Sequence, residues 1–366
     1  MRLRPYALFL FAALLQGQGA EEPTVRRIQV EPQVQLEVVD WGGSGGPVIC
    51  LAGMGNTAHV FDSLARKLTP NAHVYGVTRR GFGDSSKPAT GFNVDRLADD
   101  VLAIMDALRI QKPVLVGHSI AGQELTPIAN RAPQKVAGLV YLDTDSYALI
   151  TRIPGDLLVL LGEARKQLDN FAEGVFSRNG LSDEEKRRLR ERDLPDLIRT
   201  LTDAQNAPKR TPPPPRPEDK MKPADGQLDT ITGQQEWNLQ TTGVRFPLVE
   251  LEAVNAIGAD GKLRSKADPK AIRHILSGVR RWDTIPVPSV ALFAFPLHHG
   301  PESMKDPELV ATLDARNGPT REEVIQRLSR EPNVKVVKLP RASHYLFLTH
   351  EAEVVREIKS FVATLP

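Results

Sequence analysis

The chain has 366 residues, 25% of them charged and 41% apolar, with a formal net charge of +2. That length can bury a large core, as one domain carrying an insertion or as two domains, and the composition excludes global disorder. No basic run is long enough to track a phosphate backbone, which argues against a nucleic-acid partner, and a single cysteine, Cys50, excludes an intramolecular disulfide.

Residues 1–19 read as a secretory leader. Arg2 and Arg4 give a positive start, an apolar stretch follows over residues 6–15, and Gly17-Gln18-Gly19 offers a small-x-small cleavage site before Ala20. The apolar stretch is too short for an ordinary membrane span. The expectation is an exported protein, secreted or periplasmic, with no transmembrane anchor. Cleavage removes two arginines and no acids, taking the formal charge from +2 to 0.

Two alternating runs, residues 27–31 and 34–41, predict antiparallel strands, and Gly42-Gly43-Ser44-Gly45-Gly46 predicts a turn. Residues 47–52 form a continuous apolar strand that contains Cys50, read as a small buried apolar residue. A helix is predicted over 58–68, a strand over 73–77, and an amphipathic helix over 94–108 with Leu97, Val101, Ile104, Met105 and Leu108 on one face. Further strands are predicted at 114–116 and 136–142. This alternation implies a mostly parallel sheet with helices on both faces.

From about residue 147 to 285 the alternation stops. A charged helix is predicted over 182–192, with Ser182 and Glu185 placed as a capping box. A proline run over 211–217 reads as an extended stretch, and mixed polar sequence follows. Alternation resumes with a strand at 287–295, two helices near 307–315 and 321–329, a last strand at 334–339 and a final helix at 351–363. The organisation is an α/β core in two pieces, residues 20–146 and 285–366, with a mainly helical cap, 147–284, inserted between them.

The most informative motif is Gly117-His118-Ser119-Ile120-Ala121-Gly122, an apolar strand running into a serine flanked by small residues and then a helix. It fits a nucleophile elbow, in which the serine takes strained backbone angles so that its hydroxyl stands clear of the sheet. A helix N-cap serine after a glycine loop fits the short motif as well. A serine hydroxyl needs an adjacent base and a third group to orient that base. Of the eight histidines, His344 alone sits in a loop after the last apolar strand, at the sheet edge where the elbow presents Ser119.

The acid is Asp143, at the carboxyl end of the strand next to the elbow, with Asp145, Glu302 and Asp306 left open. Oxyanion donors are expected from the N–H of Ile120 and from the N–H of Met54 in the loop Gly53-Met54-Gly55-Asn56. The adjacent His298 and His299 have no further ligands to converge with, so no metal is expected, nor any cofactor.

With these residues together, the chain resembles the α/β-hydrolase superfamily, in its lid-bearing group of esterase- and lipase-like members. The resemblance rests on Ala52-Gly53-Met54-Gly55, Arg80-Gly81-Phe82-Gly83-Asp84-Ser85, the elbow, and Ser343-His344-Tyr345. It covers roughly residues 25–146 and 285–366. The order Ser, Asp, His matches the family's order. Three departures stand out: Ala52-Gly53 where relatives often have His-Gly, Ala121 where glycine is more frequent, and no acid directly after the strand at 287–295. Some members carry the acid one strand earlier, which the resemblance transfers to Asp143.

The implied activity is hydrolysis of a small or medium apolar ester. Aminopeptidase, carbon–carbon bond hydrolase and cofactor-free peroxidase activities share the triad. Epoxide hydrolases and dehalogenases use a carboxylate nucleophile, against which Ser119 argues. The reading from another class is a non-catalytic ligand-binding protein on a hydrolase scaffold.

Overall fold

The computed structural model describes residues 22–144, 148, 214–277, 282 and 284–365, together with 182–188 and a few isolated positions up to 202. The leader, Asp145 and the side chain of Glu185 in the expected capping box lie outside the described residues, as do residues 211–213 of the proline run.

The first strands pair as their alternating pattern predicts. β1 (Thr24–Glu31) runs antiparallel to β2 (Val34–Gly42), and β2 antiparallel to β4 (Ala72–Val77). β3 (Gly46–Leu51) lies parallel to β4 and to β5 (Val114–His118). β6 (Gly138–Leu142), β9 (Ser289–Ala294) and β10 (Val334–Leu339) extend the parallel part, giving the order β1-β2-β4-β3-β5-β6-β9-β10. The continuous apolar runs follow from burial on both faces. Val48 and Cys50 point into one helical layer, while Ile49 and Leu51 point into the other. Burial pushes the Cys50 thiol up to about 12, so it is an inert core residue.

The helices around this sheet are α1 (Asp62–Leu68), α2 (Val94–Ala107) and α3 (Gly122–Arg131) in the first part of the core. Between β6 and β9 come α4 (Asp183–Arg188), α5 (Ile231–Thr242), α6 (Leu248–Val254), the hairpin β7 (Asn255–Ile257) and β8 (Leu263–Ser265), and α7 (Pro269–Ser277). The core closes with α8 (Pro307–Leu328), a short α9 (Leu346–Thr349) and α10 (Glu351–Val362). Among the described residues, no helix is long and apolar enough to cross a membrane.

Several elements differ from the sequence expectation, among them the following. The segment at 58–68 is a 3-10 turn, Ala58–Phe61, capped by Thr57, before α1 begins. The two helices expected near 307–315 and 321–329 are one helix, α8, running through Gly318 and Pro319. A proline inside a helix removes a hydrogen bond and clashes with the preceding turn. Here burial on both sides of Pro319 outweighs it, with Val310 and Leu313 before the proline, and Arg321, Val324, Ile325 and Leu328 after it. Helix α5 escapes the pattern because it buries only Gly233; its ends are set by Thr230, which accepts from Gly233 N, and by Gly243 at φ +73°.

The topology places the site. From β3 the chain moves outward to β4, then returns to the other side of β3 as β5, so the crevice outside their carboxyl ends is a topological switch point. The loops after β3 and β5, which carry Gly53-Met54 and Ser119, flank that crevice.

Candidate active site

Ser119 directly follows β5 and sits at φ +55°, a left-handed conformation that costs a non-glycine residue about 1–3 kcal/mol. A 3-10 turn, Ser119–Ala121, and α3 follow at once. The small neighbours are a steric requirement: a Cβ on Gly117 would come within 2.6 Å of Leu125 Cδ1 and 3.1 Å of Ala121 Cβ. Ser119 is half-buried and Ile120 is buried, its N–H in the first helical turn where donors lack an intrahelical acceptor.

Asp143 follows β6, at φ +45° and fully buried. Its own N–H donates to Leu292 O at 2.8 Å, which seats it between β6 and β9. Both carboxylate oxygens are saturated. Oδ1 accepts from Ala294 N at 3.0 Å and from Arg321 Nη1 at 3.0 Å. Oδ2 accepts from Arg321 Nη2 at 2.8 Å and from His344 Nδ1 at 2.6 Å. A carboxylate only accepts, so the His344 proton on that side is on Nδ1 and Nε2 is left with a lone pair.

The other carboxylates considered for the acid do different work. Asp306 caps the start of α8, accepting from Glu308 N and Leu309 N at 3.1 Å each, and Glu302 pairs with Lys305.

His118, one residue before Ser119, ties the base to the elbow. Its Nε2 donates to the main-chain oxygen of His344 at 2.9 Å, and the two rings lie 4.6 Å apart. Burial, then the nearby His344, hold His118 well below the ordinary histidine range, so it is neutral. Its Nδ1 is buried without a hydrogen-bond partner and faces Gly53, where a Cβ would approach it to 2.6 Å and Ser119 Cβ to 3.4 Å. Gly53 is thus the residue that lets the loop after β3 lie against the serine.

That loop, in which Met54 is half-buried, is braced from two directions. Arg79 Nη2 donates to Ala52 O at 2.8 Å and Nη1 to Gly53 O at 3.4 Å, while its Nε and Nη2 pair with Glu124 on α3. Both side chains are buried. Burial pushes the Glu124 carboxyl up and Arg79 opposes it. From the other side, Glu250 of α6 accepts from Asn56 Nδ2 at 2.8 Å, Thr57 N at 3.1 Å and Thr57 Oγ1. Asn56 Oδ1 in turn accepts from Tyr345 O–H at 3.0 Å, next to His344.

Burial raises the Glu250 carboxyl from 4.5 to about 7. An acid whose folded value lies above its unfolded one destabilises the fold as pH rises, so the cost grows from pH 4.5 and is complete above about 7. Thermal unfolding across that window should show wild type losing on the order of 3 kcal/mol that Glu250→Gln does not lose. Parallel curves for the two proteins would contradict this.

His298 and His299 diverge. His298 Nδ1 accepts from Gly300 N at 3.1 Å, whereas His299 is buried and bonds Asp314 Oδ1 at 2.7 Å. Asp314 also takes a forked pair from Arg341, which reaches Leu297 O. This strut braces the loop that carries His344. Among the described residues no cluster of three or more histidine, cysteine or acidic side chains could hold a metal.

The structure therefore brings Asp143, His344, His118 and the Ser119 elbow to one sheet edge, beside the Gly53-Met54 loop. Sequence reading missed Arg321, the Arg79–Glu124 pair and Glu250. The signal for Arg79 was its place next to the glycine-rich motif at 80–85; nothing local distinguishes Arg321 from the other arginines of a charged helix.

Comparison with known proteins agrees with this architecture. A family model described as alpha/beta hydrolase fold matches residues 46–273. Curated relatives include 2-(acetamidomethylene)succinate hydrolase from Mesorhizobium japonicum, 30% identical over 29% of this chain and 38% of its own length. A non-heme chloroperoxidase from Streptomyces lividans is 36% identical over 28% and 38%. The 2-hydroxymuconate semialdehyde hydrolase of a Pseudomonas strain is 28% identical over 43% and 60%. The chain thus spans less than two thirds of the length of these relatives.

Among solved structures, E-2-(acetamidomethylene)succinate hydrolase superposes with a TM-score of 0.58 at 17% identity, covering 94% of this chain and all of the other. An epoxide hydrolase from Vigna radiata gives 0.55 at 13% identity, covering 93% and 98%. These structural likenesses establish the fold.

Proposed function

The chain belongs to the alpha/beta hydrolase fold family, and on that premise we propose that it is a serine hydrolase that cleaves carboxylic esters through an acyl-enzyme. The observation that carries this reading is the 2.6 Å hydrogen bond from His344 Nδ1 to a buried, fully saturated Asp143, held one residue from the Ser119 elbow by His118. Ser119 Oγ attacks the ester carbonyl while His344 Nε2 takes its proton. Asp143 keeps the second imidazole proton on Nδ1 and balances the imidazolium that forms. The N–H groups of Met54 and Ile120 receive the developing oxyanion. His344 then returns the proton to the departing alcohol, and a water activated by the same base frees the acid and restores Ser119.

Serine as nucleophile favours acyl transfer over the carboxylate chemistry of epoxide opening. The test is pre-steady-state hydrolysis of a p-nitrophenyl ester. Wild type should show a burst equal to the enzyme concentration, and Ser119→Ala should lose at least about 10⁴-fold in turnover. Unchanged turnover in Ser119→Ala would remove the serine from the mechanism.

A further inference from the structure

We propose that Arg321 is a positioning residue that tunes the base of the site by sharing the Asp143 carboxylate with His344. The inference rests on the Ser119–His344–Asp143 reading above and adds a fourth member to it. Arg321 is buried and comes from α8, the helix that continues unbroken past Pro319. Its guanidinium forks onto both oxygens of Asp143, at 3.0 and 2.8 Å, and Nη1 also donates to Ala294 O at 3.2 Å. A planar fork of this kind fixes the plane of the carboxylate, and so the direction in which Oδ2 meets His344 Nδ1.

An Asp–His pair standing alone offers a full negative charge to the imidazolium that forms when Ser119 gives up its proton. Here Oδ2 is already shared with a cation, so Asp143 and Arg321 together are neutral, and the imidazolium forms against a balanced pair. Arg321 and His344 both contact Oδ2, so their like charges repel across one atom.

The other groups around His344 do not offset this. His118, from the end of β5, is held neutral. Tyr345, on the same loop, is pushed up to about 12 by burial and stays protonated with its hydroxyl on Asn56. Glu250, from α6, is turned to Asn56 and Thr57. Arg79 with Glu124, and Arg341 with Asp314, are paired within themselves. Arg321 is the cation that meets the acid directly. Its effect is to disfavour protonation of the base, extending activity toward lower pH, and to make the imidazolium a readier donor to the leaving group.

The experiment follows the rate at which a fluorophosphonate probe labels the full-length protein as a function of pH. It compares wild type, Arg321→Gln and Arg321→Lys, with thermal unfolding as the control for folding. In Arg321→Gln the acid limb of the profile should move up by about one pH unit. Arg321→Lys keeps the charge but loses the fork, so its limb should stay with wild type while its plateau rate falls several-fold. A limb that stays put in Arg321→Gln, or that moves equally in both variants, overturns the proposal and leaves Arg321 a structural brace. If Arg321→Gln does not fold, the lysine variant decides alone: a wild-type limb with a several-fold lower plateau in a protein of unchanged thermal stability supports the proposal, and a displaced limb or an unchanged plateau refutes it. Absence of labelling in wild type would instead refute the serine-hydrolase reading, so the two failures are distinguishable.

Discussion

Replacing Asp143 with asparagine should lower ester turnover by roughly 10³–10⁴-fold. The loss follows from tautomer control. The carboxylate accepts from His344 Nδ1 at 2.6 Å, leaving Nε2 free to take the serine proton. An amide at that position can present an N–H to Nδ1 and stabilise the opposite tautomer, in which Nε2 is already protonated and useless as a base. The same substitution strands the Arg321 guanidinium in a buried site, which costs about 3–5 kcal/mol when one partner of a buried pair is removed. Asp143→Asn combined with Arg321→Gln removes that penalty, so the double variant should recover stability without recovering turnover. Asp306→Asn should stay within about twofold of wild type, because asparagine caps a helix as well as aspartate does. Turnover in Asp143→Asn close to wild type would mean that another group orients the base.

The Arg79–Glu124 pair should give a stability effect as large as that expected at Asp143. Arg79→Met leaves Glu124 buried at the start of α3 without its counter-charge, and also releases the carbonyls of Ala52 and Gly53 that Arg79 holds. The expected cost is about 3–5 kcal/mol, read from the denaturant midpoint. Turnover should fall as well, since the loop carrying Met54 loses its brace against the helix behind Ser119. Arg79→Met with Glu124→Gln should regain a large part of the stability, because no buried charge is then left alone. A single-variant cost below about 1 kcal/mol would place this pair among the weakly contributing ion pairs typical of surfaces.

Much of the core was legible in the sequence because its signals are strong and redundant. Strands such as Val114–His118 and Gly138–Leu142 are buried throughout and almost wholly apolar, since both faces of a parallel sheet are covered, and turn residues separate them cleanly from amphipathic helices such as Val94–Ala107. The common placement of Ser119, Asp143 and His344 was readable for a related reason. Each stands just beyond the carboxyl end of a parallel strand, and fold topology gathers those ends at one edge.

What escaped the sequence lacks a local signature. Asp143 and Asp306 are both acids at the end of an element, and only the spatial arrangement makes one a partner of His344 and the other a helix cap. Arg321 sits in a stretch as charged as any solvent face, yet α8 turns it inward because the helix continues through Pro319. Between β6 and β9, helix α5 is polar on nearly every side, so no apolar stripe announces it. Adjacent His298 and His299 carry no local sign of their separate contacts; successive residues of this loop turn to different partners, Gly300 and Asp314.

Peptide mapping of the folded protein after reaction with a fluorophosphonate asks directly whether Ser119 is the nucleophile. One adduct is expected, on the peptide that contains Ser119, absent in Ser119→Ala and formed far more slowly in His344→Ala. Folded wild-type protein that takes no label, or takes it on a different residue, would contradict that role.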